Sequence, residues 1–76
     1  MLNMEINDFV LNFADQFEDT DLITSETVFH DLDEWDSLVA LAVLNMCEKK
    51  FGKSITFDEM KQCVTVEDLF NVVQSK

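Results

Sequence analysis

Ser37 stands between Asp36 and an apolar run from Leu38 to Leu44. A hydroxyl next to a carboxylate where a polar stretch turns into an apolar one fits two kinds of chemistry. Ser37 can be the N-cap of a helix, its oxygen accepting an otherwise unpaired backbone N–H. Asp36 can take that part equally well, which leaves Ser37 exposed in the first turn. There a phosphate ester on the hydroxyl would be favoured by the positive helix end and its free N–H groups. Other reactive constellations are poor. His30 is the only histidine, so no Ser/His/Asp relay forms and His30 reads as a loop residue. Cys47 and Cys63 lie among apolar positions and read as small buried hydrophobes. They are too few for a disulfide framework or a zinc site. An EF-hand loop fails too. Starting at Asp19 or Asp31, the sixth residue is Thr24 or Asp36 rather than Gly, and the twelfth is His30 or Ala42 rather than Glu. No metal site and no catalytic residue is expected.

The elements that must position Ser37 follow from periodicity. Ile6, Phe9, Val10, Phe13, Ala14 and Phe17 recur at helical spacing. They predict an amphipathic helix, with Asn3 as its cap and Glu5 and Asp8 near its positive end. Residues 18–35 lack helical period but carry the apolar anchors Leu22, Ile23, Val28, Phe29, Leu32 and Trp35. This segment reads as a long loop that packs down, with a short turn of helix around Ser25–Phe29. The spacing then predicts a helix from Ser37 to Phe51, with Lys49 and Lys50 at its negative end and Gly52 just beyond. Thr56 to Glu59 form a T-x-x-E capping box, opening a short helix from Phe57 to about Gln62. Thr65 caps a last helix carrying Val66, Leu69, Phe70 and Val73, and Val64 and Leu69 are placed for a hydrophobic staple. The fold class expected is all-α, a small four-helix bundle with three longer helices, one short helix and a long first loop.

At 100° per residue the Ser37–Phe51 helix buries Ala40, Val43, Leu44, Cys47 and Phe51 and turns Asn45, Glu48 and Lys49 to solvent. Leu38, Leu41 and Ala42 project toward the solvated side near its N-terminus. Apolar residues there, beside an acidic loop, are the anatomy of a docking surface, unless the loop folds over them. Phe13, Phe51 and Phe70, each on a different apolar stripe, are expected in the core.

Charge and length narrow the function classes. The 76 residues carry 16 acids against 5 Lys and no Arg, a net charge of −11. Residues 1–48 hold 12 of the acids and no Lys or Arg. Nucleic acid and anionic membrane need basic patches, so neither is an expected partner; basic protein surfaces are. No stretch has the ~20 apolar residues of a membrane span, and acids stand where a secretory leader has a basic flank. A cytoplasmic compartment with reduced thiols is expected. With no Pro and one Gly the composition favours helices. A chain below the roughly 100–200 residues usual per domain is read as one domain over residues 1–76 and as a monomer.

Asp36-Ser37-Leu38 resembles the attachment motif of acyl carrier proteins. The resemblance runs through Ile23-Thr24, Phe29, Asp31, Glu48-Lys49-Lys50-Phe51, Ile55 and Thr65-Val66-Glu67-Asp68-Leu69. It implies a 4′-phosphopantetheine arm on Ser37, installed from coenzyme A by a holo-acyl-carrier-protein synthase or another phosphopantetheinyl transferase using Mg²⁺. It implies a protein that is not an enzyme. Such a protein holds an acyl group as a thioester and presents it to acyl-loading and acyl-transfer enzymes of fatty-acid, polyketide or other pathways. Asp36 would contact the transferase, and Leu38, Val39, Leu41 and Ala42 would face partners. Carriers of fatty-acid synthesis usually read L-G-x-D-S-L with acids on the following helix. This chain reads Leu32-Asp33-Glu34-Trp35-Asp36-Ser37-Leu38, with Val39 and Ala42 at those acidic positions, a form more similar to stand-alone or pathway-specific carriers. Met46, Met60 and Val64 are candidates to line an acyl cavity. An aminoacyl or peptidyl carrier, or an acidic helical adaptor without an arm, are the alternatives.

Overall fold

Apolar spacing and local capping together set four α-helices among the described residues. The computed structural model describes residues 5–18 and 23–76. Helix α1 spans Ile6–Ala14, α2 Ser37–Phe51, α3 Phe57–Gln62 and α4 Val66–Ser75. No strand occurs among the described residues, and the architecture is a small all-α bundle. Helix α1 packs against both α4 and α2. Glu5 precedes α1 without a side-chain cap; Asn3 and the anchor Leu22 lie outside the described residues. The regular helix stops at Ala14, short of its apolar stripe. Tighter bonds from Gln16 N–H to Phe13 O and Phe17 N–H to Ala14 O continue the turn. Phe17 is therefore still buried.

The capping signals hold in detail. Thr56 Oγ1 accepts the Glu59 N–H at 3.1 Å, and Glu59 Oε1 accepts the Thr56 N–H at 3.0 Å. Thr65 and Asp68 repeat the arrangement at the start of α4, an aspartate doing what Glu or Gln does in the usual box. Helix α2 ends at Gly52, whose φ of 68° is the left-handed conformation a glycine adopts without strain. Its N–H reaches Glu48 O at 3.0 Å, and that of Lys53 reaches Cys47 O at 3.2 Å.

From Ile23 onward the first connection packs down rather than floating. Val28 pairs antiparallel with Thr65. Thr27 O accepts the Val66 N–H at 3.1 Å, and Ser25 O accepts the Glu67 N–H at 2.9 Å. These are first-turn donors of α4 that no intrahelical bond can satisfy, so the loop and the helix start complete each other. The helical turn expected around Ser25–Phe29 falls later, as a 3₁₀ turn at Phe29–Asp31. A side-chain-closed turn of Thr24 and Thr27 takes the earlier place.

Phenylalanines and aliphatic side chains share the core. Phe9, Phe13 and Phe29 are fully buried, with Met60, Leu69, Val43, Val66, Val73 and Cys47 around them. Phe70 is buried as expected, whereas Phe51 and Leu44 are only partly buried and pack on the edge of the core. Met46 is buried instead, so the inward face of α2 is rotated slightly from the expected one. Of the two staple positions, Leu69 is buried while Val64 stays 54% exposed.

Candidate functional site

Trp35 fixes the approach to Ser37. Its ring stacks on Phe13 at 6.5 Å and on Phe17 at 6.2 Å and meets Phe29 edge-on at 4.8 Å. The end of the loop is thus held to α1 two residues before the serine. Asp36 follows in extended conformation and takes the cap: Val39 N–H donates to its Oδ1 at 2.8 Å. Of the two capping possibilities, Asp36 is the one realised. Ser37 becomes the first residue of α2, and it is exposed.

Ser37 opens onto a groove of about 280 Å³ between the loop end, α2 and α3. Trp35, Ala40, Phe57 and Met60 give it an apolar wall; Asp36, His30 and Lys61 are its charged or titratable groups. His30 is held from behind, its Nε2 3.0 Å from the Cys63 carbonyl. A carbonyl only accepts, so that nitrogen carries the proton. Phe57, on the groove side of α3, is 44% exposed.

The thiols offer no competing nucleophile. Burial raises the Cys47 pKa to about 11. Burial also raises that of Cys63, with Asp68 and Glu59 adding their negative charge. A thiol held above its ordinary range is mostly protonated at neutral pH.

The proposed docking residues do not all face outward. Leu38 is 77% exposed and Leu41 47%, and the loop does not cover them. Ala42 is half-buried, and Val39 turns partly inward against the core. Of the candidates for an acyl-lining role, Met60 lines the groove at Ser37. Met46 belongs to a different depression, with Gln16, Ala42, Asn45, Lys49 and Lys50, and Val64 faces solvent. Sequence reasoning missed His30, Phe57 and Lys61 as groove residues. Phe57 and Lys61 are four apart and share one face of α3, a spacing that would have grouped them.

Comparison with known families decides the class. The family model of the phosphopantetheine attachment site matches residues 10–73. The chain belongs to that family. It is a phosphopantetheine carrier, and covalent 4′-phosphopantetheine is its prosthetic group. Carrier domains of this kind hold and present cargo rather than catalyse its transfer. The family implies a phosphopantetheinyl transferase and acyl-handling enzymes as partners. Searches of curated proteins and of solved structures returned no match. No described helix is long and apolar enough to cross a membrane.

The residues present suit the prosthetic group. An attachment serine has to be reachable by a second enzyme, and Ser37 is exposed on a helix start with its cap supplied by a neighbour. A phosphodiester there would lie at the positive helix end.

Proposed function

We propose that Ser37 bears the arm and that the protein is an acyl carrier. The observation that carries the reading is the division of labour at the start of α2: Asp36 holds the helix cap and Ser37 stays exposed beside it. In the modification, Ser37 Oγ forms a new bond to the phosphorus of coenzyme A that bears the pantetheine. The pyrophosphate P–O bond breaks, 3′,5′-adenosine bisphosphate leaves, and the hydroxyl proton passes to a base of the transferase. The arm supplies a thiol that holds an acyl group as a thioester. The protein's own residues position the anchor and offer a surface to partners.

That surface is proposed to be the N-terminal part of α2, with Leu38 and Leu41 as apolar contacts, Ala42 and Val39 beside them and Asp36 toward the transferase. Exposed apolar residues in a chain of net charge −11 support docking by apolar contact within a polar rim. The choice of acyl over aminoacyl or peptidyl cargo rests on the likeness of the sequence motifs to acyl carriers. Proteolytic mapping after treatment with a transferase and coenzyme A tests the attachment, with the modification expected on the peptide containing Ser37. Loading by an acyl-activating enzyme, but not by amino-acid-adenylating ones, tests the cargo class.

A further inference from the structure

We infer that Trp35 is a positioning residue for the modification: it clasps the start of α2 to the end of α1, so that Ser37 meets the transferase already in place. This rests on Ser37 as the attachment residue. The start of α2 has little packing of its own. Ser37 and Leu38 are exposed, Val39 is only partly buried, and Ala40 is the first residue of the helix to enter the core. A helix end with so few buried contacts frays readily, so its order has to come from the residues before it.

Those residues are held twice. The Trp35 indole lies nearly parallel to the rings of Phe13 and Phe17, at 11° and 20°, and meets Phe29 and His30 edge-on. Each aromatic pair of this kind shifts an equilibrium by roughly two- to tenfold. Independently, the Glu34 carboxylate accepts the Glu18 N–H at 2.8 Å, one residue beyond Phe17. Residues 34 and 35 are thus tied to the same end of α1 by stacking and by a hydrogen bond. Asp36 follows directly, and its extended backbone begins the cap. When the clasp opens, Asp36 moves with the connection, the Val39 bond is lost, and Ser37 leaves the helix start. The transferase then meets a carrier of which only a fraction is competent. Its apparent affinity falls by that fraction, while turnover of the bound carrier is unchanged.

The test measures initial rates of modification against carrier concentration, with a phosphopantetheinyl transferase, saturating coenzyme A, and full chains folded by circular dichroism. Trp35→Leu keeps apolar bulk and removes the ring; it should raise KM for the carrier about tenfold and leave kcat within about twofold. Trp35→Phe should recover most of the loss. Phe17 is buried, out of reach of a partner enzyme, yet Phe17→Leu should raise KM as well and add little to Trp35→Leu in the double variant. Hydrogen exchange at the Val39 and Ala40 amides should quicken in both single variants. Phe51→Ala weakens a different contact, with Phe9, and should change neither KM nor that exchange, which separates positioning from loss of stability. A wild-type KM in folded Trp35→Leu overturns the inference. So does a raised KM in Trp35→Leu with Val39 exchange and Phe17→Leu kinetics unchanged, because the indole would then touch the transferase directly. Wild type left unmodified at Ser37 overturns both this inference and the attachment it rests on.

Discussion

The Asp36 carboxylate accepts the Val39 N–H at 2.8 Å, and this bond sets the posture of the serine between them. A capping residue spends its side chain on the backbone, and by capping in place of Ser37, Asp36 leaves the serine to the solvent. Replacing Asp36 with Ala should cost about 0.5–2 kcal/mol of stability. Asp36→Asn, which keeps an acceptor oxygen, should cost less. Chemical denaturation of the three proteins checks the order, and equal stability of all three would remove the cap from the account.

The core predicts a graded response among phenylalanines. Phe13 is fully buried, touching Phe9, Phe17, Phe29 and Trp35. Phe13→Ala should cost about 3–5 kcal/mol, a large part of what so small a domain has. Phe51 is only partly buried, and Phe51→Ala should cost distinctly less. Urea midpoints measure the difference; a larger loss at Phe51 would misplace the core.

Acid should act through Asp68. Its carboxyl is held below the ordinary 3.8 by the backbone N–H groups of Thr65 and Val64. A depressed folded-state pKa adds stability that is fully present above the unfolded value. That stability is lost as pH falls from about 3.8 through the lower folded value. Asp68→Ala should therefore be less stable than wild type at neutral pH, and the gap should narrow below pH 3.8. Melting temperatures of both proteins against pH show it, and a gap that widens in acid would reverse the sign of this reasoning.

Docking should depend on Leu41. It is about half exposed, so Leu41→Asp should leave stability within about 0.5 kcal/mol. Transfer by the native acyl-handling partner should fall about tenfold or more if the residue is a central contact. Apolar contact also withstands salt better than charge steering does. Transfer that tolerates Leu41→Asp yet collapses in high salt would move the docking surface to the acidic loop.

What the sequence made legible was local. Asp36, Gly52, Thr56 with Glu59, and Thr65 with Asp68 act within a turn of the helix they bound, so the limits of α2 and α3 follow from neighbouring residues. What it hid was non-local. Nothing near Val28 in sequence announces its pairing with Thr65. His30 meets Cys63 across 33 positions. Trp35 was legible as an anchor, but its stacking on Phe13 and Phe17 depends on how the loop returns to α1. The groove was hidden for the same reason, because Ser37, Phe57 and Lys61 become neighbours only when α2 and α3 are brought together.

Intact mass spectrometry of wild type and Ser37→Ala, each incubated with a phosphopantetheinyl transferase and coenzyme A, tests the central claim most directly. The chain has four serines, at 25, 37, 54 and 75, so the assignment is specific. Wild type should gain the mass of one phosphopantetheine, and Ser37→Ala, folded by circular dichroism, should gain none. Equal gain in both proteins would contradict the assignment of Ser37.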